Sequence, residues 1–203
     1  MIQKLWLKKP KLVYSKNVID IVQFGSSIAE NEKTNKKSDE KSDEKFKEIN
    51  DIDIAVIFNK ISLKEQLIES QKIKKQLQKI CELPVHIKSF DFYSLFEVSN
   101  FSRESVLSGK SLLSGDFFSK RFGFIPKIQI YYSLNNLLKK DKIRFNYMLN
   151  GKKGVYGLLR KYKGDLLKPG LIEIDLEYED IFVNSIKKFK VDFRIRKVMI
   201  VEK

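Results

Sequence analysis

The sequence has very few residues of the types that form disulfides and zinc sites. Among its 203 residues there is one cysteine, Cys81, and one histidine, His86. A lone cysteine cannot form a disulfide within the chain, and one cysteine with one histidine cannot provide the four protein ligands of a structural zinc site. We expect Cys81, which follows a helical pattern, to be a buried apolar residue.

Long hydrophobic runs are absent as well. No stretch of about 18 consecutive apolar residues occurs, so no transmembrane helix is predicted. Residues 1–12, MIQKLWLKKPKL, have neither the apolar core nor the small-residue cleavage site of a signal peptide. We therefore expect a cytoplasmic protein with no membrane partner. The apolar content of 42% suffices for a packed core, and the length fits one domain or two small ones.

Positive charge is abundant but unevenly distributed. The net charge is +14, and residues 120–203 contain 20 basic and 9 acidic residues, a net charge of +11. Residues 51–119, in contrast, contain 9 of each sign. A basic excess confined to one part of a chain is typical of a surface that contacts nucleic acid.

Two segments rich in valine and isoleucine predict neighbouring β-strands with polar residues at their tips. Residues 17–24, NVIDIVQF, run into Gly25, and residues 51–58, DIDIAVIF, begin with two aspartates. Residues 30–50, between these segments, alternate lysine with acidic residues around a single aromatic residue. That composition predicts a disordered charged insertion.

The next elements complete an α/β pattern. Residues 62–80 have apolar side chains at helical spacing, and Ser62 with Glu65 predicts a capping box at the start of that helix. Residues 83–90, LPVHIKSF, predict a third strand, and residues 90–115 predict one or two helices followed by a short extended piece. We expect a mixed sheet with flanking helices in a domain of residues 1–119.

The remaining residues, 120–203, predict a small basic α+β domain. Its predicted elements are a strand at 142–149, a glycine turn with a short helix at 151–164, a strand at 170–177, a helix at 178–189 and a strand at 190–201.

The polar strand tips have the composition of a phosphate and metal site. Asp51 and Asp53 are two residues apart and therefore share one face of a strand, which is how carboxylates hold a magnesium ion that substrate phosphates complete. Gly25 allows a backbone to approach a phosphate closely, and Ser26 offers a hydroxyl. Together these residues predict phosphoryl chemistry.

The pair of motifs, FGSS closing one strand and DIDIAV forming the next, resembles the minimal nucleotidyltransferases of the superfamily related to DNA polymerase beta. The resemblance covers about residues 17–115. It implies the polymerase beta-like mixed sheet and the magnesium-dependent transfer of a nucleoside monophosphate from a nucleoside triphosphate, with ATP favoured. Asp51 and Asp53 would hold Mg²⁺, Gly25 and Ser26 would bind phosphates, and Ser27 would add a further phosphate contact.

One residue departs from the family's pattern. The family places a third acidic residue on the next strand, where this sequence has His86. His86 would act as a general base, or its presence would mark a weakened site; a half-buried strand histidine without a catalytic role is the remaining alternative. Asp91 could replace the missing carboxylate only if the strand ended differently from the prediction.

Basic and aromatic residues alternate in the second predicted domain, which suits contact with phosphates and stacking on bases. The residues that we expect to bind nucleic acid, RNA in preference to DNA, are Arg144, Lys152, Lys153, Arg160 and Lys161. The GKKG turn at 151–154 resembles the backbone-clamping loop of KH domains, but that loop joins two helices and a strand is predicted here. We interpret the glycines as a hairpin or a strand-to-helix turn.

Three functions remain open. The favoured one is a nucleotidyltransferase that acts on or near RNA. The second is a catalytically weak module of the same type that binds nucleic acid or a ribonucleoprotein. The third is an antitoxin-type enzyme that modifies a partner protein.

Overall fold

The computed structural model describes residues 4–28, 50–96 and 106–201, which form an α+β protein. The chain divides into two compact units, Met1–Phe122 and Gly123–Lys203. The charged insertion, apart from its last residue, and part of the segment predicted as helical after residue 90 lie outside the described residues. Within the described ranges, no helix is both long and apolar enough to cross a bilayer.

The first unit contains the mixed sheet that the sequence predicts. Its strands follow the order β3-β2-β1-β4, with β2 parallel to β3 and the other neighbours antiparallel. The strands are β1 (Val18–Phe24), β2 (Ile52–Phe58), β3 (Val85–Asp91) and β4 (Lys110–Ser111), and the helices are α1 (Leu5–Lys8) and α2 (Leu63–Gln78). The first three strands and the long helix are thus confirmed.

Strand β2 is apolar on both faces because it is covered on both. Ile54 and Val56 belong to one core cluster, which also contains Ile73 of α2, while Ala55 and Ile57 belong to a second cluster. Cys81 is buried in the first cluster, as predicted, and burial raises the pKa of its thiol. A strand held on both sides keeps the residues at its ends in fixed positions.

Helix α2 begins where the sequence predicts. The backbone N–H of Glu65 donates to Ser62 Oγ at 3.3 Å, and the backbone N–H of Ser62 donates to Glu65 Oε2 at 3.0 Å. These reciprocal bonds are the predicted capping box and satisfy two N–H groups that a helix start otherwise leaves without partners.

The second unit is a four-stranded antiparallel sheet with the order β10-β5-β9-β8. The main elements follow a β-α-β-β-α-β sequence, the split β-α-β arrangement, with a small hairpin and one short helix inserted after the first long helix. In chain order they are β5 (Phe124–Ser133), α3 (Lys139–Asn150), β6 (Gly151–Lys152), β7 (Val155–Tyr156), α4 (Leu158–Lys161), β8 (Asp165–Lys168), β9 (Leu171–Asp175), α5 (Glu179–Lys187) and β10 (Asp192–Val201).

One predicted strand of this unit is wrong. Residues 142–149 form most of helix α3, not a strand. Phe145 and Leu149 are fully buried and lie four residues apart, on one helix face, while Ile143 and Tyr147 are exposed. The apparent alternation of apolar residues therefore does not reflect alternating burial. The strands predicted at 170–177 and 190–201 and the helix at 178–189 are confirmed.

Candidate functional site

The polar tips of β1 and β2 meet at one edge of the first sheet. In the antiparallel register, Phe24 pairs with Asp53. The chain leaves β1 through a short 3-10 turn, Gly25–Ser27, so this turn begins beside the aspartate. Two motifs separated by more than twenty residues in the sequence are therefore neighbours, as predicted from their pairing as adjacent strands.

Glycine is required at position 25 for two reasons. Its φ of +75° lies in the region that side chains disfavour, and a Cβ added there would lie 3.0 Å from Asp53 Oδ2. The backbone of the turn therefore comes closer to the Asp53 carboxylate than a residue with a Cβ ordinarily does. Close backbone approach of this kind is what a phosphate bound by N–H groups needs.

The two serines of the turn have different surroundings. Ser26 is exposed, whereas Ser27 is 1% exposed and donates from Oγ to the Phe24 carbonyl at 3.1 Å. Ser27 Oγ also accepts from Gln23 Nε2 at 3.1 Å, and Gln23 Oε1 accepts the backbone N–H of Leu5 at 3.1 Å. The Ser27 hydroxyl thus holds the turn in place rather than facing a ligand.

Gln23 is a residue of this site that sequence reasoning missed. It is fully buried, and its side chain connects the segment at α1 to the Gly25–Ser27 turn. A buried amide must be hydrogen-bonded on both its oxygen and its nitrogen, and Gln23 satisfies both. The sequence feature that could have indicated this role is the single amide in the otherwise apolar run IVQF, immediately before the turn.

Asp51, Asp53 and His86 form a group that could hold a metal ion. Each offers one ligand atom, and the three atoms lie within 4.8 Å of one another. His86 pairs with Asp53 across the parallel strands β2 and β3, and its Nδ1 lies 3.2 Å from Asp51 Oδ2. Two carboxylates and an imidazole within this distance have the donor chemistry for a divalent cation.

Asp91 does not replace the missing third carboxylate. It pairs with Phe58, at the other end of β2 from the metal group. Its Oδ1 accepts the backbone N–H groups of Tyr93 and Ser94, at 2.8 Å and 3.0 Å, and so closes the turn that follows β3. The third position beside the two aspartates is occupied by His86.

The second unit carries a separate basic and aromatic surface, which we call the hairpin surface. It is built on the β6–β7 hairpin and the adjoining helices, and comprises Arg144, Tyr147, Lys152, Lys153, Tyr156, Arg160 and Lys161. The Arg160 guanidinium lies 4.1 Å from the centre of the Tyr156 ring, and Lys152 Nζ lies 5.4 Å from that of Tyr147. These contacts are of cation–π geometry.

The side chains of the hairpin surface are exposed to solvent. Tyr156 is 65% and Tyr147 45% exposed, so aromatic faces and cations are presented to solvent together. Arg144 forms an ion pair with Asp141 at 3.6 Å on α3, and Lys161 Nζ lies 5.2 Å from the Tyr162 ring. The five predicted basic residues are all on the surface, and four of them, Arg144, Lys152, Arg160 and Lys161, contact a carboxylate or an aromatic ring within the unit.

The three glycines at 151, 154 and 157 shape this hairpin. Gly154 has a φ of +79° at the turn, while a Cβ on Gly157 would overlap the backbone of Gly151. The hairpin interpretation is therefore confirmed, but the element before it is helix α3 and not the strand on which the distinction from KH domains was based. The turn closes a two-stranded hairpin instead of joining two helices directly.

Comparisons of the chain with protein-family models, with curated proteins and with solved structures find no match.

Proposed function

We propose that the protein is a nucleotidyltransferase of the polymerase beta-like type, which transfers a nucleoside monophosphate from a nucleoside triphosphate to an RNA acceptor. The observation that carries the proposal is the register of β1 and β2, in which the residue before Gly25 pairs with Asp53. This register brings a turn suited to phosphate and a carboxylate pair suited to a divalent cation to one edge of one sheet.

The residues of the site have distinct roles in this reaction. Asp51 and Asp53 bind the divalent cation, which when bound supplies the positive charge that neutralises the phosphates. The backbone at Gly25 and the exposed Ser26 bind the β and γ phosphates, while Gln23 and Ser27 keep the turn fixed. A bond forms between the acceptor oxygen and the α phosphorus, the α–β bridging bond breaks, pyrophosphate leaves, and the acceptor proton passes to solvent.

RNA is the proposed acceptor because of the second unit. Residues 123–203 include most of the basic excess, and the hairpin surface exposes aromatic rings together with cations. Lysine and arginine neutralise phosphates without regard to sequence, and aromatic faces stack on unpaired bases. A single-stranded RNA segment satisfies both features.

A catalytically weak module that binds nucleotide and nucleic acid is the second candidate. It is favoured by one observation, the presence of His86 where the family has a third carboxylate. In this case nucleotide and RNA would bind, but no nucleoside monophosphate would be transferred.

The test is incubation of the full chain with α-labelled nucleoside triphosphates and a divalent cation, with single-stranded RNA or total protein as the acceptor. Labelled RNA that depends on the cation and is lost in Asp53→Asn would support the enzyme. Binding of triphosphate without transfer would support the second candidate, and labelled protein would identify the antitoxin type. If Asp53→Asn leaves cation-dependent triphosphate binding unchanged, the site is wrongly assigned.

A further inference from the structure

The imidazole of His86 faces the two carboxylates without being fixed there by packing. Its side chain is 59% exposed, and its Nδ1 lies 3.2 Å from Asp51 Oδ2. Because an exposed side chain loses little by adopting another rotamer, burial does not explain why it lies beside the aspartates. The contact with Asp51 accounts for this position, and from it the imidazole can share a cation with both carboxylates.

The nature of the third donor affects which cation binds. Mg²⁺ takes oxygen ligands in a strict octahedral arrangement, whereas imidazole nitrogen is a good ligand for first-row transition ions. Mn²⁺ accepts both carboxylate oxygen and imidazole nitrogen, so replacing a carboxylate by an imidazole favours Mn²⁺ over Mg²⁺.

We propose that His86 is a metal ligand and that the site consequently binds Mn²⁺ in preference to Mg²⁺. The inference rests on the proposed function insofar as Asp51 and Asp53 hold the cation. It extends that function by naming the cofactor and by giving the departure at position 86 a chemical role. The transferase would then be a manganese enzyme, in which the third carboxylate is replaced by imidazole.

The composition of the chain makes direct detection of this ligand straightforward. His86 is the only histidine among the 203 residues, so any imidazole nitrogen bound to a metal in the untagged protein belongs to it. Mn²⁺ is paramagnetic, and pulsed electron paramagnetic resonance detects a coordinated nitrogen. Growth with ¹⁵N-histidine changes the coupling only if the nitrogen comes from that residue.

The experiment uses the full untagged chain without nucleotide. Mn²⁺ binding is measured from the loss of the free-ion resonance, and Mg²⁺ is added as a competitor. We expect wild type to favour Mn²⁺, with a ratio of Mn²⁺ to Mg²⁺ affinities about tenfold or more above that of His86→Asp, which has three carboxylates. Lys75→Ala, which removes an exposed lysine of helix α2, should leave the ratio unchanged.

The outcomes separate this inference from the proposed function. A histidine nitrogen coupling together with a ratio that falls in His86→Asp would support the inference. Binding that requires Asp51 and Asp53 but shows no histidine coupling and an unchanged ratio would overturn it and leave the transferase proposal intact, with His86 acting only as a hydrogen-bond partner of Asp51. Absence of any cation binding by wild type would overturn both.

Discussion

The guanidinium Nη1 of Arg121 lies 3.2 Å from Oδ2 of Asp20, a carboxylate of β1 that is 1% exposed. The other oxygen of Asp20 accepts from Ser111 Oγ at 2.7 Å and from the backbone N–H of Ile21 at 2.8 Å. Burial raises the pKa of Asp20 above its usual value even though these three partners favour the ionised form. Asp20 thus connects β1 to β4 and to the turn that carries Arg121.

The raised pKa predicts the direction of a pH effect. An acid with a higher pKa in the folded state contributes stability below its unfolded pKa and loses that contribution as the pH rises through the folded pKa. The free energy of unfolding of wild type should therefore fall relative to that of Asp20→Asn as the pH rises from about 4 towards neutral. Urea unfolding across this range measures the difference.

Asp116 provides a control of opposite sign for the Asp20 experiment. Burial alone would raise its pKa, but hydrogen bonds from Lys120 Nζ and from the backbone N–H of Phe117 outweigh burial, and the pKa is lowered. The ionised Asp116 carboxylate therefore stabilises the folded state at a pH above its unfolded pKa, and this stabilisation is lost as the pH falls through its folded pKa. Relative to Asp116→Asn, wild type should lose stability as the pH falls. If the stability difference between wild type and variant changed with pH in the same direction for Asp20→Asn and Asp116→Asn, the opposite pKa shifts of the two aspartates would be contradicted.

Substitution of Gly25 tests the closeness of the turn to Asp53. We expect Gly25→Ala to lower the melting temperature, since an alanine at positive φ costs about 1 kcal/mol, and also to weaken cation and triphosphate binding. Gly123→Ala is the matched control, because Gly123 has a φ of +74° and nothing within 4 Å of an added Cβ. If both variants bound cation and triphosphate equally well, the close approach of Gly25 to Asp53 would not matter for binding.

The candidate metal site could be predicted because its residues belong to short local motifs. The strand patterns around Gly25, Asp51 and Asp53 are strongly apolar, and period-two geometry places the polar residues at their ends. The distance between His86 and Asp51 could not be predicted, because it depends on the register of β3 against β2. These two strands are joined through helix α2, and the sequence of that connection does not specify their register.

The errors of prediction lie in the second unit, where short apolar patterns fit more than one period. The pattern around Phe145 and Leu149 fits periods of both two and four, and burial in α3 decides between them. Strand β5 was not predicted, although Ile128 and Ile130 alternate with Lys127, Gln129 and Tyr131 in the pattern of a half-buried strand. The role of Gln23 was missed because partners of a buried amide depend on tertiary contacts.

Binding of a single-stranded RNA by the full chain should depend steeply on salt. If about five cations of the hairpin surface contact phosphates, log affinity should fall with log salt at a slope of roughly −3 to −4. Lys152→Glu with Lys153→Glu should make the slope shallower by about 1.4 and leave triphosphate binding unchanged. The control, Lys187→Glu with Lys188→Glu, removes the same charge elsewhere in the unit, and an equal effect would contradict a local surface.

The exposed ring of Tyr156 should contribute stacking rather than charge. Tyr156→Leu should weaken RNA binding by about 1 kcal/mol or more, because a base stacked on an aromatic side chain gains roughly this amount, and the salt slope should stay the same. Filter binding over a salt series measures both quantities. Tyr93→Leu, which changes a 70% exposed tyrosine of the first unit, should have no effect; a matching loss there would argue against stacking at the hairpin surface.

The pairing of β5 with β10 determines when each unit can fold during synthesis. Phe124, at the start of the second unit, pairs with Val201 of β10, near the end of the sequence. One edge of the central strand β5 therefore lacks its neighbouring strand until Val201 has left the ribosome. The four strands of the first sheet are complete by Ser111. Because loop closure over many residues slows folding, the unit with the candidate metal site can form first and the unit with the hairpin surface last.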